Sequence, residues 1–351
     1  MKNTRELLNA VTERMFDIKG GNFKEVCPIG IIDFSNWEWA QGVGLYGLWQ
    51  SYKTTKDKSI LDKLINWYEN NIQRGIPDRN VNTTCPMLTL AFIAEETKNE
   101  KYLDMCRDWA KWVMYDMQRT TEGGIQHDGS KCINVEQLWD DTLFMTVLFL
   151  AKAGKLFGIK EYVDEAVKQF LLHIKYLYDK KTGLFFHGWT FEGRHNFSEA
   201  FWGRGNCWYT CGVVEFLEIS EIEGPVKEFL AQTLESQVCG LAKNQTESGA
   251  FTTLIDDNSS YIEMSATAGF ACGILKAVRK SYIDKKYEKV GVAAVKALID
   301  NIYEDGTVDN VSYGTNVGKT RDEYLDIPIY PMTYGQALAI LALNEYLHYE
   351  A

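Results

Sequence analysis

The chain is short of proline, with six in 351 residues. It also has few of the alternating Val, Ile and Thr runs from which extended sheet is built, so little strand is expected. It has no apolar run of about 18 residues or more, which excludes a membrane-spanning helix. The start, "MKNTRELLNAVTERMFDIKGG", lacks the unbroken apolar core of a secretory signal and reads as an amphipathic helix. Basic charge is not in excess: the formal net charge of −11 argues against nucleic acid as a partner. No phosphate-binding glycine loop, GxSxG elbow or HExxH occurs. The eight cysteines (Cys27, Cys85, Cys106, Cys132, Cys207, Cys211, Cys239 and Cys272) form no CxxC and sit mostly in apolar surroundings. They read as reduced thiols, and the protein as cytoplasmic. Cys207 and Cys211 have no matching His or Cys pair at zinc spacing, so neither metal nor cofactor is expected. The "NQT" triplet at Asn244 carries no meaning in a cytoplasmic protein.

What is present is apolar bulk with a 3.6-residue period. Hydrophobic residues make up 46% of the chain and aromatics 13%, too much for disorder and ample for a packed core. Six segments mix small and large apolar residues with almost no charge: "GVGLYGLWQSY", "CPMLTLAFIAEE", "DTLFMTVLFLAKAGKLFG", "NCWYTCGVVEFLEI", "ATAGFACGILKAV" and "GQALAILALNEYL". Between them lie helices with one charged side, such as "DKSILDKLINWYENNI" and "KEYVDEAVKQFLLHIKYLY". A helix apolar all round is buried, and one with a charged stripe faces water. Counting the N-terminal helix, six of each alternate, which predicts an all-α fold: an (α/α)6 barrel forming a single domain over residues 1–351. The alternative is a linear helical array.

Inner helices of such a barrel run parallel, so the segments before them meet at one end. Those segments are rich in aromatic and polar residues, and predict a funnel lined by Trp37, Trp39, Asn82, Trp139, Asp141, Trp202, Arg204, Glu263 and Tyr334. Trp and Tyr offer a flat apolar face with a polar tip, which suits sugar rings. Few groups there can move a proton. Asp140 and Asp141 in "WDDTLFM" are neighbours, hence about 100° apart on a helix. The i, i+4, i+7 face of Met145 and Leu148 selects Asp141, and Asp140 is expected to cap the helix. Desolvation would raise the pKa of Asp141 and a helix N-terminus would lower it, so the balance is not readable here. His187 sits in "GLFFHGWT", in a loop after a helix. Arg204, a lone cation in "FWGRGNCW", is placed to clamp a carboxylate. His127 and Asp128 read as a loop tip without a third ligand.

At "WDDTLFM", "FFHGW" and "WGRGNCW" the chain resembles the unsaturated rhamnogalacturonyl hydrolases of glycoside hydrolase family 105. It is similar, more distantly, to the unsaturated glucuronyl hydrolases of family 88. "VNTTCPMLTL" and "EMSATAGFACGI" extend the resemblance over nearly the whole chain. The resemblance implies an (α/α)6 barrel and hydration of the C4=C5 double bond that polysaccharide lyases leave on a non-reducing-end uronic acid. It implies that Asp141 protonates C4 and then, as a carboxylate, activates water towards C5, so a second catalytic carboxyl is not required. It implies a substrate contact for His187 and sugar stacking for Trp202 and Trp208. The glucuronyl branch carries a second aspartate where this chain has Asn82–Thr83, which leans the substrate towards Δ4,5-galacturonyl-rhamnose. The expected binding set is therefore Trp39, Asn82, Trp139, Asp140, His187, Trp202, Arg204, Trp208 and Tyr334 around Asp141. The partner is an unsaturated uronyl disaccharide, met by a monomer or homodimer with no membrane attachment. Two rivals stand beside this reading: a conventional glycosidase using Asp140 and Asp141 as a pair, and a non-catalytic sugar-binding toroid.

Overall fold

The computed structural model describes residues 3–18 and 33–350; Cys27 lies outside the described residues. Helix α1 (Thr4–Asp17) opens on a capping box, in which the Asn3 side chain accepts from the Glu6 N–H and the Glu6 carboxylate accepts from the Asn3 N–H. Five further hairpin partners follow the same alternation. Helices α2 (Trp39–Thr55) and α3 (Lys58–Arg74) are joined by a turn in which Asp57 caps α3, and α4 (Val81–Thr97) and α5 (Glu100–Tyr115) by one in which Asn99 caps α5. A single π turn (Leu143–Val147) leads into α6 (Leu148–Phe157), followed by α7 (Lys160–Leu177). Then come α8 (Gly203–Ser220), α9 (Pro225–Asn244), α10 (Met264–Arg279) and α11 (Glu288–Asp300). A short α12 (Asp322–Leu325) precedes the final helix α13 (Thr333–Glu350).

The two kinds of helix separate by burial as their sequences require. Seventeen residues of α8 are buried but only four of α3, which places the first in an inner ring and the second outside it. Each inner helix (α2, α4, α6, α8, α10, α13) packs on the next, and α13 packs back on α2. That contact closes the ring and rules out the linear array. Small residues allow the close approach. A Cβ at Gly42 would lie 2.6 Å from Cys85 Sγ and 2.7 Å from the Pro86 nitrogen. Pro86 sits inside α4, so the backbone nitrogen that α2 approaches carries no hydrogen to leave unpaired. Among the described residues no helix is long and apolar enough to cross a membrane.

One expectation needs correcting. The "GLFFHGWT" segment is not simply a loop: β2 (Gly188–Thr190) pairs antiparallel with β1 (Gln137–Trp139), setting Trp139 opposite Gly188. This small ribbon joins the two segments that carry the candidate carboxylates and the candidate histidine.

Candidate active site

Strand β1 delivers the chain to Asp140, whose N–H donates to the His187 carbonyl at 3.2 Å. Asp141 then begins the helix, and the π turn follows directly. Such turns insert an extra residue and re-aim the side chains around them. Asp141 and Met145 both reach the cavity at the N-terminal end of the inner ring. Of the face inferred from helical spacing, Asp141 and Met145 reach the cavity while Leu148 is buried and does not, the local helix being wider than the 3.6-residue form assumed.

His187 stands beside Asp141, with Nε2 3.3 Å from Oδ2. The alignment falls short of a hydrogen bond, and neither atom has another partner. Apo-state catalytic contacts are commonly loose in this way and tighten around substrate. The other imidazole nitrogen is fixed from behind: Nδ1 lies 2.8 Å from the Tyr324 hydroxyl, which itself accepts the Gly318 N–H at 2.9 Å. With one lone pair so occupied, the Tyr324 hydroxyl is free to donate to Nδ1, leaving the imidazole proton on Nε2, facing Asp141. Burial lowers the His187 pKa against the opposing pull of Asp141, in keeping with a neutral ring. Burial alone would raise the Asp141 pKa. The His187 N–H and the neighbouring Asp140 carboxyl oppose this, and the balance leaves Asp141 below the ordinary carboxylate range.

Asp140 is a different kind of group. It is fully buried, does not border the cavity, and neither of its oxygens takes a well-aligned hydrogen bond, the nearby amides of Asp140 and Asp141 included. The expected helix cap is therefore absent, and so is the expected substrate contact. Its carboxyl lies against α8, where a Cβ at Gly205 would come within 2.6 Å of Oδ2. Burial, reinforced by the charge of Asp141, pushes the Asp140 carboxyl well above the ordinary range and so favours its protonated form. Asp140, Asp141 and His187 bring three ligand-type atoms within 4.8 Å of one another.

The cavity walls divide the remaining expectations. Trp39, Asn82, Trp139, Trp202 and Arg204 border the cavity as inferred. Trp208 does not: it is wholly buried behind Trp39 and Phe144, with ring centroids 6.0 and 5.4 Å away. Tyr334 also lies one layer deeper, stacked on Trp39 at 4.7 Å. Trp37 belongs to a core cluster with Trp67, Tyr68 and Trp109, and its indole N–H donates to the Thr83 carbonyl. Glu263 is a buried cap of α10. His187 is likewise buried behind Asp141 and does not border the cavity.

Arg204 borders the cavity but is not a free clamp. Its Nη1 donates to the Ser265 hydroxyl and to the Ser312 carbonyl and hydroxyl, and its Nη2 to the Tyr313 carbonyl. Glu263 lies 3.5 Å from Nη1, and the guanidinium is held between the Trp202 and Tyr334 rings. The side chain thus joins α8, α10 and the last long loop, and offers the cavity charge more than an open fork.

Other wall residues were set aside by the sequence reading, as His127 was, or not singled out by it. His127 stacks on Trp139 at 4.3 Å and 12°, with Nδ1 2.8 Å from the Thr142 hydroxyl. Burial holds its pKa down at about 4, so its ring is neutral. Glu38, desolvated and hence raised in pKa, accepts from Ser130 and from the Trp39 N–H. Thr315 and Asn316 close the far side. The signal for His127 was its adjacency to aromatic β1, visible only once the ribbon forms.

The chain matches the model of Glycosyl Hydrolase Family 88 over residues 12–350. It is 31% identical over 319 residues to unsaturated rhamnogalacturonyl hydrolase YesR of Bacillus subtilis, covering 90% of this chain and 91% of that protein. A crystal structure of a possible member of the GH105 family from Salmonella enterica serovar Paratyphi A superposes with a TM-score of 0.96 at 44% identity, covering 99% of this chain and 94% of that one. An unsaturated glucuronyl hydrolase from Bacillus sp. GL1 shares the fold, with a TM-score of 0.72 at 19% identity over 97% of this chain and 95% of its own. Barrel, cavity and likeness agree: the chain is a glycoside hydrolase belonging to the family 88 and 105 group of (α/α)6-barrel enzymes.

Proposed function

We propose that the protein removes the non-reducing-end Δ4,5-unsaturated uronyl residue from lyase-generated oligosaccharides by hydrating its C4=C5 bond, with Δ4,5-galacturonyl-rhamnose as the preferred substrate. The observation that carries this is the Asp141 carboxyl, set beside a histidine in an aromatic-walled cavity. Asp141 faces the cavity with His187 behind it, while its neighbour Asp140 is sealed away. In this reading Asp141 delivers a proton to C4, the ring oxygen shares the positive charge that develops at C5, and the Asp141 carboxylate then draws a proton from the attacking water. The resulting hemiketal opens and releases the neighbouring sugar. Trp39, Trp139 and Trp202 offer ring faces to the sugars, and Arg204 provides positive potential for the uronate carboxylate from within the wall.

The paired-carboxylate rival is disfavoured by the same geometry. Conventional glycosidases need two carboxyls flanking the scissile bond, about 5–5.5 Å apart for retention and about 6.5–9.5 Å for inversion. Asp140 does not border the cavity, so it cannot flank a bond there. Asn82 lines the cavity; the family resemblance implies an aspartate near this point in the glucuronyl branch, which favours the rhamnogalacturonyl preference. The test is to follow loss of the enol-ether ultraviolet absorbance on a panel of lyase-generated disaccharides. Decay on the rhamnose-linked substrate, faster than on glucosamine-linked ones, is expected. No decay on any of them would end the catalytic reading and leave the sugar-binding toroid.

A further inference from the structure

Hydration at C4 needs a proton on Asp141, yet that residue rests ionised beside the His187 N–H. The geometry points to Asp140 as the store: we propose that Asp140 is a buried proton-holding partner, and that the Asp140–Asp141 pair carries one proton between them. This rests on the hydration reading above. Asp140 is fully buried, and no hydrogen-bond donor satisfies either oxygen. An ionised carboxylate in that position would be uncompensated, whereas a protonated one needs a single acceptor. Asp141 is the acceptor within reach. Gly205 leaves the room, since any side chain there would strike the Asp140 carboxyl.

The pair has charged and titratable neighbours on several elements: His187 after the ribbon, Cys207 from α8 and Tyr324 from α12 lie near both carboxyls, while Arg204 and His127 act on Asp141. The imidazoles of His187 and His127 are neutral, so neither stores the proton. In the reaction the Asp140 proton passes to Asp141, which then gives that same proton to C4, leaving both carboxyls ionised until water is deprotonated. The C4=C5 electron pair forms the C4–H bond, and water oxygen then bonds to C5. The proton that water loses goes to Asp141 and back to Asp140, so the pair ends as it began and the net change is addition of one water. Asp140 touches no substrate and acts only through Asp141.

The test is Asp140→Asn, which fills the same space but holds no transferable proton. With the store gone, Asp141 must be protonated from solvent, so the rate should fall about tenfold for each pH unit above the acid range. At neutral pH kcat should drop about 10²-fold or more with KM nearly unchanged. A merely structural role would not tilt the pH profile. Wild-type kcat and an unchanged profile in Asp140→Asn would overturn the proposal while leaving Asp141 in place. Failure of wild-type enzyme to consume any unsaturated uronide would instead overturn the hydration reading. Should Asp140→Asn not fold, the infrared carbonyl band of a protonated carboxyl decides on wild-type protein. Its persistence at pH 8, in wild type and in Glu38→Gln alike, supports the shared proton, and its absence refutes it.

Discussion

Keeping a carboxyl protonated in the core has a thermodynamic consequence that can be measured without substrate. In the unfolded chain Asp140 titrates near its ordinary 3.8, whereas burial holds it well above that in the fold. Folding above the unfolded carboxyl's range therefore takes up a proton. A group raised in this way contributes stability that is complete below its unfolded pKa and is lost as pH rises towards its folded value. While the folded carboxyl keeps its proton and the unfolded one has lost it, the loss runs at about 1.4 kcal/mol per pH unit. Unfolding entropy of roughly 2.1 cal/mol/K per residue converts that into about 2 °C of Tm per pH unit for a chain of this length. Asp140→Asn does not titrate, so above the unfolded carboxyl's range its Tm relative to wild type should rise by about 2 °C per pH unit. Buried His127, His173 and His187 also make stability depend on pH, but they do so in both proteins and cancel in the difference. Asp141 has its depressed value at about 2 and changes charge only below this window. Scanning calorimetry or fluorescence melts at four pH values would serve. Parallel pH curves for the two proteins would mean that Asp140 ionises normally, and the argument for a stored proton would fail.

Other perturbations separate the remaining roles. Tyr324→Phe removes the hydroxyl between Gly318 and His187 Nδ1; kcat should fall about 10-fold with little change in KM, as a lost orienting hydrogen bond predicts. Arg204→Met leaves Glu263 buried without its cation; a cost of about 3–5 kcal/mol should lower Tm by roughly 4–7 °C, measured by the same melts. Dialysis against a chelator should leave turnover unchanged, and a loss restored by a divalent cation would show that Asp140, Asp141 and His187 hold an ion.

The barrel was legible because inner and outer helices differ in kind: α8 has few charges and is buried nearly all round, whereas α3 is buried along one side only. Asp141 was legible for a related reason, since helical spacing tells which face a residue takes. Depth was not. Trp208 and Tyr334 sit on the cavity side of the ring yet lie a layer behind Trp39, and no period in a sequence reports how many layers separate a side chain from solvent. Arg204 looked like a clamp because its sequence neighbours are uncharged; its partners Ser265, Ser312 and Tyr313 come from distant segments. His127 was set aside as a loop tip and Tyr324 was not singled out, because a loop and a one-turn helix carry them, where no periodicity marks an inward face. Asp140 read as a cap because aspartate is common there, and only Gly205 arriving from α8 shows the site to be dry.

The most direct test of the central claim asks which carbon the nucleophile attacks. Wild-type enzyme acting on an unsaturated galacturonyl-rhamnose disaccharide in aqueous methanol, with products resolved by NMR, answers it. Hydration through Asp141 predicts a methoxyl group on C5 with the glycosidic bond still intact, and no such product from Asp141→Asn. A methyl glycoside at C1 with the C4=C5 bond retained would contradict it and restore displacement at the anomeric carbon.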